Sequence, residues 1–217
     1  MATRATESQL KVKRIVEECA KLYDRNLCER HVLFGPTDGT RPYETYFPAD
    51  CFFHLCGIRY KNKAQRVSAK KFFDLALQGK IDPKLFEAKY TKYTEAKLSI
   101  LYQLVRIDST GAKIAPMPLV RYGATKAEIL IFNMDFAMGF RIDRSGKTKS
   151  LIPCTALYDR VPKQTDEKNI GFVLKTDRNE MYYRHRIKPK GEMTEQQESN
   201  MRRVTSKYHG DFWTFTR

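Results

Sequence analysis

The 217-residue chain sets 40 lysines and arginines against 25 aspartates and glutamates, for a formal charge of +15 and a pI near 9.6. Hydrophobic residues make up 41% of it, enough for a buried core, which excludes a disordered chain. No run approaches the roughly 18–20 consecutive apolar residues that a membrane-spanning helix requires.

Thr6-Glu7-Ser8-Gln9 reads as a capping box at the head of a helix. Val12, Val16, Cys19, Ala20, Tyr23 and Leu27 then fall on one helical face with charges opposite. The stretch Gly35-Pro-Thr-Asp-Gly-Thr-Arg-Pro42 is a turn cluster, and the runs beside it, His31 to Phe34 and Tyr43 to Phe47, have the composition of paired strands. Asp50 to Cys56 predicts a short helix stopped by Gly57. Ala69, Phe72, Phe73 and Ala76 repeat at helical spacing up to Gly79, and Asp82-Pro83 starts a further helical turn. Leu98, Leu101, Tyr102 and Val105 mark another amphipathic helix, opening near Thr94.

Beyond Gly111 the pattern becomes that of strands: Glu128 to Asn133, Phe136 to Ile142, Ser150 to Leu157, Ile170 to Thr176 and Met181 to Ile187. Asp143-Arg-Ser-Gly146 and Asp177-Arg-Asn-Glu180 supply turns between them. Helices first, then a meander of antiparallel strands, predicts an α+β fold. From Lys188 the chain is polar and basic, and it ends in an aromatic patch at Phe212, Trp213 and Phe215.

The five cysteines (Cys19, Cys28, Cys51, Cys56 and Cys154) form no CxxC pair, and their odd number and scatter speak against a disulfide framework or a zinc site. The opening MATRATESQLKVKR lacks the apolar stretch of a signal peptide. A reducing, cytoplasmic setting is the expectation. The positive charge concentrates polyanions and speeds their capture, so RNA is the expected partner. The same charge suits a merely soluble basic protein, or one that binds an acidic protein.

P-loop, GxGxxG, HExxH and GxSxG signatures are missing, so nucleotide-dependent and metalloprotease chemistry has no support. No cofactor and no metal ligand set is expected. His54 lies in Phe52-Phe53-His54-Leu55-Cys56-Gly57, next to the basic residues Arg59, Lys61 and Lys63. Its bland reading is a core or cap histidine. His185 lies in Tyr182-Tyr-Arg-His-Arg-Ile-Lys188, where cations alternate with rings. Such a strand suits phosphate contacts and base stacking; it equally suits a solvated edge strand. The candidate nucleic-acid-binding set is Arg59, Lys61, Lys63, Lys70, Lys71, Arg121, Arg184, His185, Arg186 and Lys188.

Over roughly half its length, from Phe47 to Thr155, the chain resembles the phage-associated branch of the Barnase–EndoU–colicin–RelE nuclease superfamily. The residues that carry the resemblance are Phe53-His54-Leu55-Cys56-Gly57-Ile58, then Lys71-Phe72-Phe73-Asp74 with Gly79-Lys80-Ile81. A leucine-rich helix around Leu98 to Ile107, Met138-Gly139-Phe140-Arg141 and Ile152-Pro153-Cys154-Thr155-Ala156-Leu157 complete it. The resemblance implies helices leading into a curved four-stranded antiparallel sheet that bears the site, and metal-independent cleavage of RNA. It implies His54 as general base or acid, Arg141 as a phosphate clamp and Thr155 as a hydrogen-bond donor to the same oxygens. It also implies a phage or mobile-element protein acting on RNA. The rival expectation is a non-catalytic RNA-binding protein, or a phage-encoded inhibitor of a host defence system that occupies a host ribonucleoprotein; an acidic neutralising or target protein is a further partner to consider.

The organisation expected is residues 1–35 as an N-terminal helical extension, 36–187 as the α+β ribonuclease-like domain, and 188–217 as a basic, aromatic tail. Cys56 stands where the family usually has a small hydroxyl residue, and the Gly111 to Pro118 segment is longer than expected. The first thirty or so residues and the tail have no counterpart in the resemblance.

Overall fold

A computed structural model describes residues 4–87, 92–109, 111–116, 127–133, 135–144, 150–157, 166–180, 182–188, 195, 198–199 and 201–202. Helix α1 (Glu7–Asn26) starts at the predicted capping box: the Thr6 hydroxyl accepts from the Gln9 amide, and the Gln9 side chain accepts from the Thr6 amide. Two donors that a helix start would leave bare are thereby satisfied. Its apolar stripe, Val12, Val16, Cys19, Ala20 and Tyr23, is fully buried. Strands β1 (His31–Pro36) and β2 (Tyr43–Tyr46) form an antiparallel pair. Helix α2 (Cys51–Cys56) ends at Gly57, whose φ of 64° is the left-handed value that a glycine accepts without strain. Helix α3 (Ala69–Leu77) is capped by Ser68, a 3₁₀ turn follows at Pro83–Leu85, and helix α4 (Lys92–Leu104) closes the helical region.

The strands that follow are β3 (Lys113–Pro116), β4 (Ile129–Phe132), β5 (Ala137–Ile142), β6 (Leu151–Leu157), β7 (Lys168–Thr176) and β8 (Tyr183–Lys188). Five of these six match segments predicted from the sequence. The sixth, β3, falls in the segment read as overlong.

The fold is α+β, with the eight described strands in one mixed sheet of order β1-β2-β6-β5-β4-β3-β7-β8. A further pairing of β1 with β7 joins the two ends, so the first seven strands of that order form a closed ring with β8 outside it. The antiparallel sheet implied by the resemblance needs two amendments: it has eight described strands rather than four, β1 and β2 among them, and β2 meets β6 in parallel, at the single register pair Thr45↔Leu151. All other strand pairs are antiparallel.

One face of the sheet packs on the helices. Val32, Phe34, Ile114, Ile131, Met138, Phe140 and Ala156 share a buried cluster with Phe47, Phe52, Phe72, Leu101 and the stripe of α1. The segment 1–35 therefore contributes a helix to this core and a strand, β1, to the interior of the sheet. Two small clusters of buried side chains lie outside this core: Leu33, Phe172, Leu174, Tyr183 and Met201 in one, and Ala115, Leu130, Phe132 and Ala137 in the other. All five cysteines are free thiols. Among the described residues no helix is long and apolar enough to cross a membrane. The aromatic end of the chain at Phe212, Trp213 and Phe215 lies outside the described residues.

Candidate functional site: a cationic cleft at the junction of helix α2 and strand β6

Helix α2 docks on β6 through its first residue, the Cys51 thiol donating to the Pro153 carbonyl at 3.4 Å. Strand β6 is irregular there. Thr155 pairs with Gly139, but Pro153 pairs with Phe140, so Cys154 is an extra residue inside the ladder. Proline offers no amide to the ladder, and a bulge of this kind re-aims the side chains beside it. Gly139 has no room for a side chain, because a Cβ there would sit 2.7 Å from the Thr155 methyl and 2.8 Å from the Ala127 methyl.

The result is a cleft of about 250 Å³ lined by Phe53, His54, Gly57, Ile58, Arg59, Lys97, Cys154 and Thr155. His54 and Thr155, some hundred residues apart in the chain, meet in it. So does Arg59. Arg141 is not part of the lining; it is exposed on β5, opposite Ile152. It is still near enough for its charge to act on His54, Cys51 and Cys154.

The environment holds the His54 pKa below its ordinary 6.5. Loss of solvent around the ring is the largest cause, followed by the Arg66 cation, with Lys97 and Arg141 acting the same way and Asp50 opposing. His54 is therefore neutral at pH 7, with a lone pair to offer. Burial raises the Cys154 thiol to about 11, so this cysteine stays protonated near neutrality. Arg66 stacks over the Phe53 ring at 5.0 Å, and Phe53 meets the His54 ring edge-on at 5.9 Å.

Two residues of this neighbourhood were missed by the sequence reading. Lys97 carried a usable signal: with Leu101 and Leu104 it falls at i, i+4 and i+7 of α4, so a lysine heads a buried apolar stripe. Arg66 carried none, since it lies in a generally basic loop.

The remaining candidates divide. Arg59, Lys61, Lys63, Lys70 and Lys71 are exposed. The backbone of the first two is fixed by bonds to the 85–87 segment: the Lys61 amide donates to the Leu85 carbonyl, and the Glu87 amide to the Arg59 carbonyl. Arg184, His185 and Arg186 lie on β8, outside the ring of strands. There Arg184 pairs with Glu180 at 3.1 Å, and His185 with Asp177 at 2.8 Å. Arg121 and the side chain of Lys188 lie outside the described residues. Among the described residues no three His, Cys, Asp or Glu side chains converge as metal ligands would.

What the cleft offers chemically is a neutral imidazole, a hydroxyl and fixed positive charge around a space large enough for a phosphodiester. Neither a curated protein nor a solved structure matches the chain. A family model does: that of the phage-Barnase-EndoU-ColicinE5/D-RelE like nuclease 4, over residues 15–199. The match begins inside α1 and ends beyond β8, so it takes in most of the first helix and part of the basic tail for which the sequence reading had no counterpart. With the match spanning the helical core, the whole described sheet and both sides of the cleft, the chain belongs to this phage-type family of the Barnase–EndoU–colicin–RelE nuclease superfamily.

Proposed function

We propose that the chain is a metal-independent endoribonuclease that cleaves RNA by attack of the ribose 2′-hydroxyl. His54, neutral at pH 7, takes the 2′-hydroxyl proton as the oxygen bonds to phosphorus. The bond to the 5′-oxygen breaks, and that oxygen takes a proton from solvent water, giving a 2′,3′-cyclic phosphate and a free 5′-hydroxyl, while the His54 imidazolium returns its proton to solvent. Thr155 donates to a non-bridging oxygen, and Arg59 and Arg141 offset the charge that grows on the phosphoryl group. The observation that carries this reading is the cleft itself, with a neutral histidine and a hydroxyl inside a cationic rim. Family membership supports it independently.

The test is incubation of the purified chain with total RNA in the presence of chelator, beside a His54→Ala control. Cyclic phosphate ends are expected, with DNA of the same sequence left intact because it lacks the attacking hydroxyl. His54→Ala should slow cleavage by roughly 10²–10⁴-fold, the usual worth of a positioned acid or base. Thr155→Val should cost less, since other donors remain.

One observation favours a second reading, a non-catalytic binder of RNA or of a host ribonucleoprotein. Among the described residues, nothing hydrogen-bonds the His54 ring to fix its tautomer. Tight RNA binding without cleavage, by wild type and His54→Ala alike, decides for that reading.

A further inference from the structure

We propose that Lys97 is the cation that holds the phosphoryl group in this cleft, and that Gly57 is a glycine so that the lysine stem can cross it. The proposal rests on the cleft being a phosphate site; it does not require that the bound ester be cleaved.

Lys97 is only 4% exposed, yet it lines the cleft. A buried lysine is uncommon, because taking an ammonium out of water is costly unless charge or hydrogen bonds compensate. The position heads an apolar stripe on which Leu101 and Leu104 are wholly buried, so packing alone would be served as well by leucine or methionine. The stem has a made-to-measure path. A Cβ on Gly57 would lie 2.5 Å from Lys97 Cδ and 3.2 and 3.3 Å from its Cβ and Cγ. The methylenes thus lie against the glycine that ends α2, three residues after His54.

This sets Lys97 apart from the exposed Arg59, Lys61 and Lys63. Those side chains must be immobilised when an anion arrives, whereas the Lys97 stem is already packed. A cation held in place and shielded from water acts on developing negative charge without reorganising. Its charge already bears on His54, disfavouring the imidazolium. An anion seated between the two would reverse that influence.

The reversal gives a measurement free of RNA and of turnover. The ring proton signals of His54 in the full chain are titrated against pH, with and without inorganic phosphate. In wild type, phosphate should raise the His54 pKa. In Lys97→Met, which keeps most of the stem and removes the charge, the anion-free pKa should rise. The phosphate response should then need about tenfold more anion or more, as for loss of one charge-assisted hydrogen bond. Lys97→Arg should keep most of the response, and so should Lys113→Met, which removes a lysine paired with Glu167. A wild-type response in Lys97→Met overturns the proposal.

The role of Gly57 is tested by coupling, since its φ of 64° penalises any side chain whatever the space. Gly57→Ala should cost less stability in a Lys97→Ala background than in wild type, because the stem it collides with is gone. Additive costs would overturn that half. Phosphate binding through Lys97 by a chain that cleaves no RNA would sink the ribonuclease reading and leave this one standing.

Discussion

At the residue scale the electrostatics of His54 give a pH prediction with a definite sign. Its imidazole is exposed at the surface, but it loses solvent contact to its neighbours and faces Arg66, Lys97 and Arg141, all of which disfavour the protonated form. As a general base it must be neutral, so activity is lost as pH falls through its pKa. With that pKa held below its ordinary 6.5, the acid limb of kcat/KM should lie on the acid side of that value. Arg66→Gln removes the largest of the charge effects and should move the limb to higher pH. A limb that does not move, while His54 itself titrates higher by NMR, would remove His54 from the role of base. Gly139 yields a second prediction. Gly139→Ala places a methyl against Thr155 and Ala127 and should destabilise by about 1–3 kcal/mol, the range for overpacking a tight site. Thr155→Ser deletes one of the two methyls in the way, so it should recover part of that loss. Strict additivity in urea unfolding would mean that Gly139 is not what seats Thr155.

At the scale of elements, what was legible in the sequence was what is local. The capping box of α1, the stop at Gly57, the helical spacing of α3 up to Gly79 and the strands from β4 to β8 are written in residues a few positions apart. Strand β3 was missed because Lys113-Ile-Ala-Pro116 is too short to alternate convincingly; its partners, β4 and β7, supply its stability. The parallel meeting of β2 and β6 was missed for a different reason. It rests on one register pair between segments about a hundred residues apart, and no local pattern encodes it. Side chains reinforce this junction: Thr45 donates to the Val32 carbonyl, the Ser150 hydroxyl lies 3.3 Å from His31 Nδ1, and Glu44 pairs with the same nitrogen at 3.3 Å. Tyr183 donates to Glu44 at 2.7 Å. His31, Thr45, Ser150 and Tyr183 are buried and Glu44 is half-buried, and together they tie β1, β2, the start of β6 and β8. His31→Phe keeps the ring against Tyr46 but removes the contacts of Nδ1 with Ser150 and Glu44, so it should cost about 1 kcal/mol, the usual net worth of a lost hydrogen bond. Amide exchange around residues 43–46 and 150–152 should speed up before the rest of the sheet does. Uniform acceleration across the sheet would show that the junction is no weaker than its neighbours. The candidate site was legible in the same uneven way: His54 and Thr155 stood in motifs, whereas Lys97 was passed over although its spacing from Leu101 and Leu104 places it on the buried stripe of α4.

At the scale of the whole molecule the proposed reading asks which part of a charge of +15 would meet an RNA. Composition cannot say, since it weighs every lysine alike. The fold does distinguish them. On β8, Arg184 and His185 already face Glu180 and Asp177, and Asp177 has its pKa lowered first of all by the hydrogen bond from His185. A phosphate arriving there must compete with carboxylates. Among the described residues Arg59, Lys61, Lys63, Lys70 and Lys71 pair with no carboxylate, and Arg59 runs directly into the cleft. They are spread over a short segment whose first residues are pinned by backbone bonds to the 85–87 segment. Each lysine or arginine that neutralises a phosphate releases a counterion, and losing one lowers the slope of log affinity against log salt by about one. Replacing Arg59, Lys61 and Lys63 together by alanine should therefore weaken RNA binding across all sequences and flatten the salt slope by about three. Replacing Arg184 and Arg186 together should change it by much less than the two units their charge alone would dictate, because part of that charge is already balanced within the protein. The His54→Ala chain is the one to use, since under the proposed reading it spares the RNA during the titration. Equal slopes per charge removed from the two regions would mean that the internal carboxylates of β8 do not hold its cations in solution. A larger loss from β8 would make that strand the binding face and place the bound RNA away from the cleft.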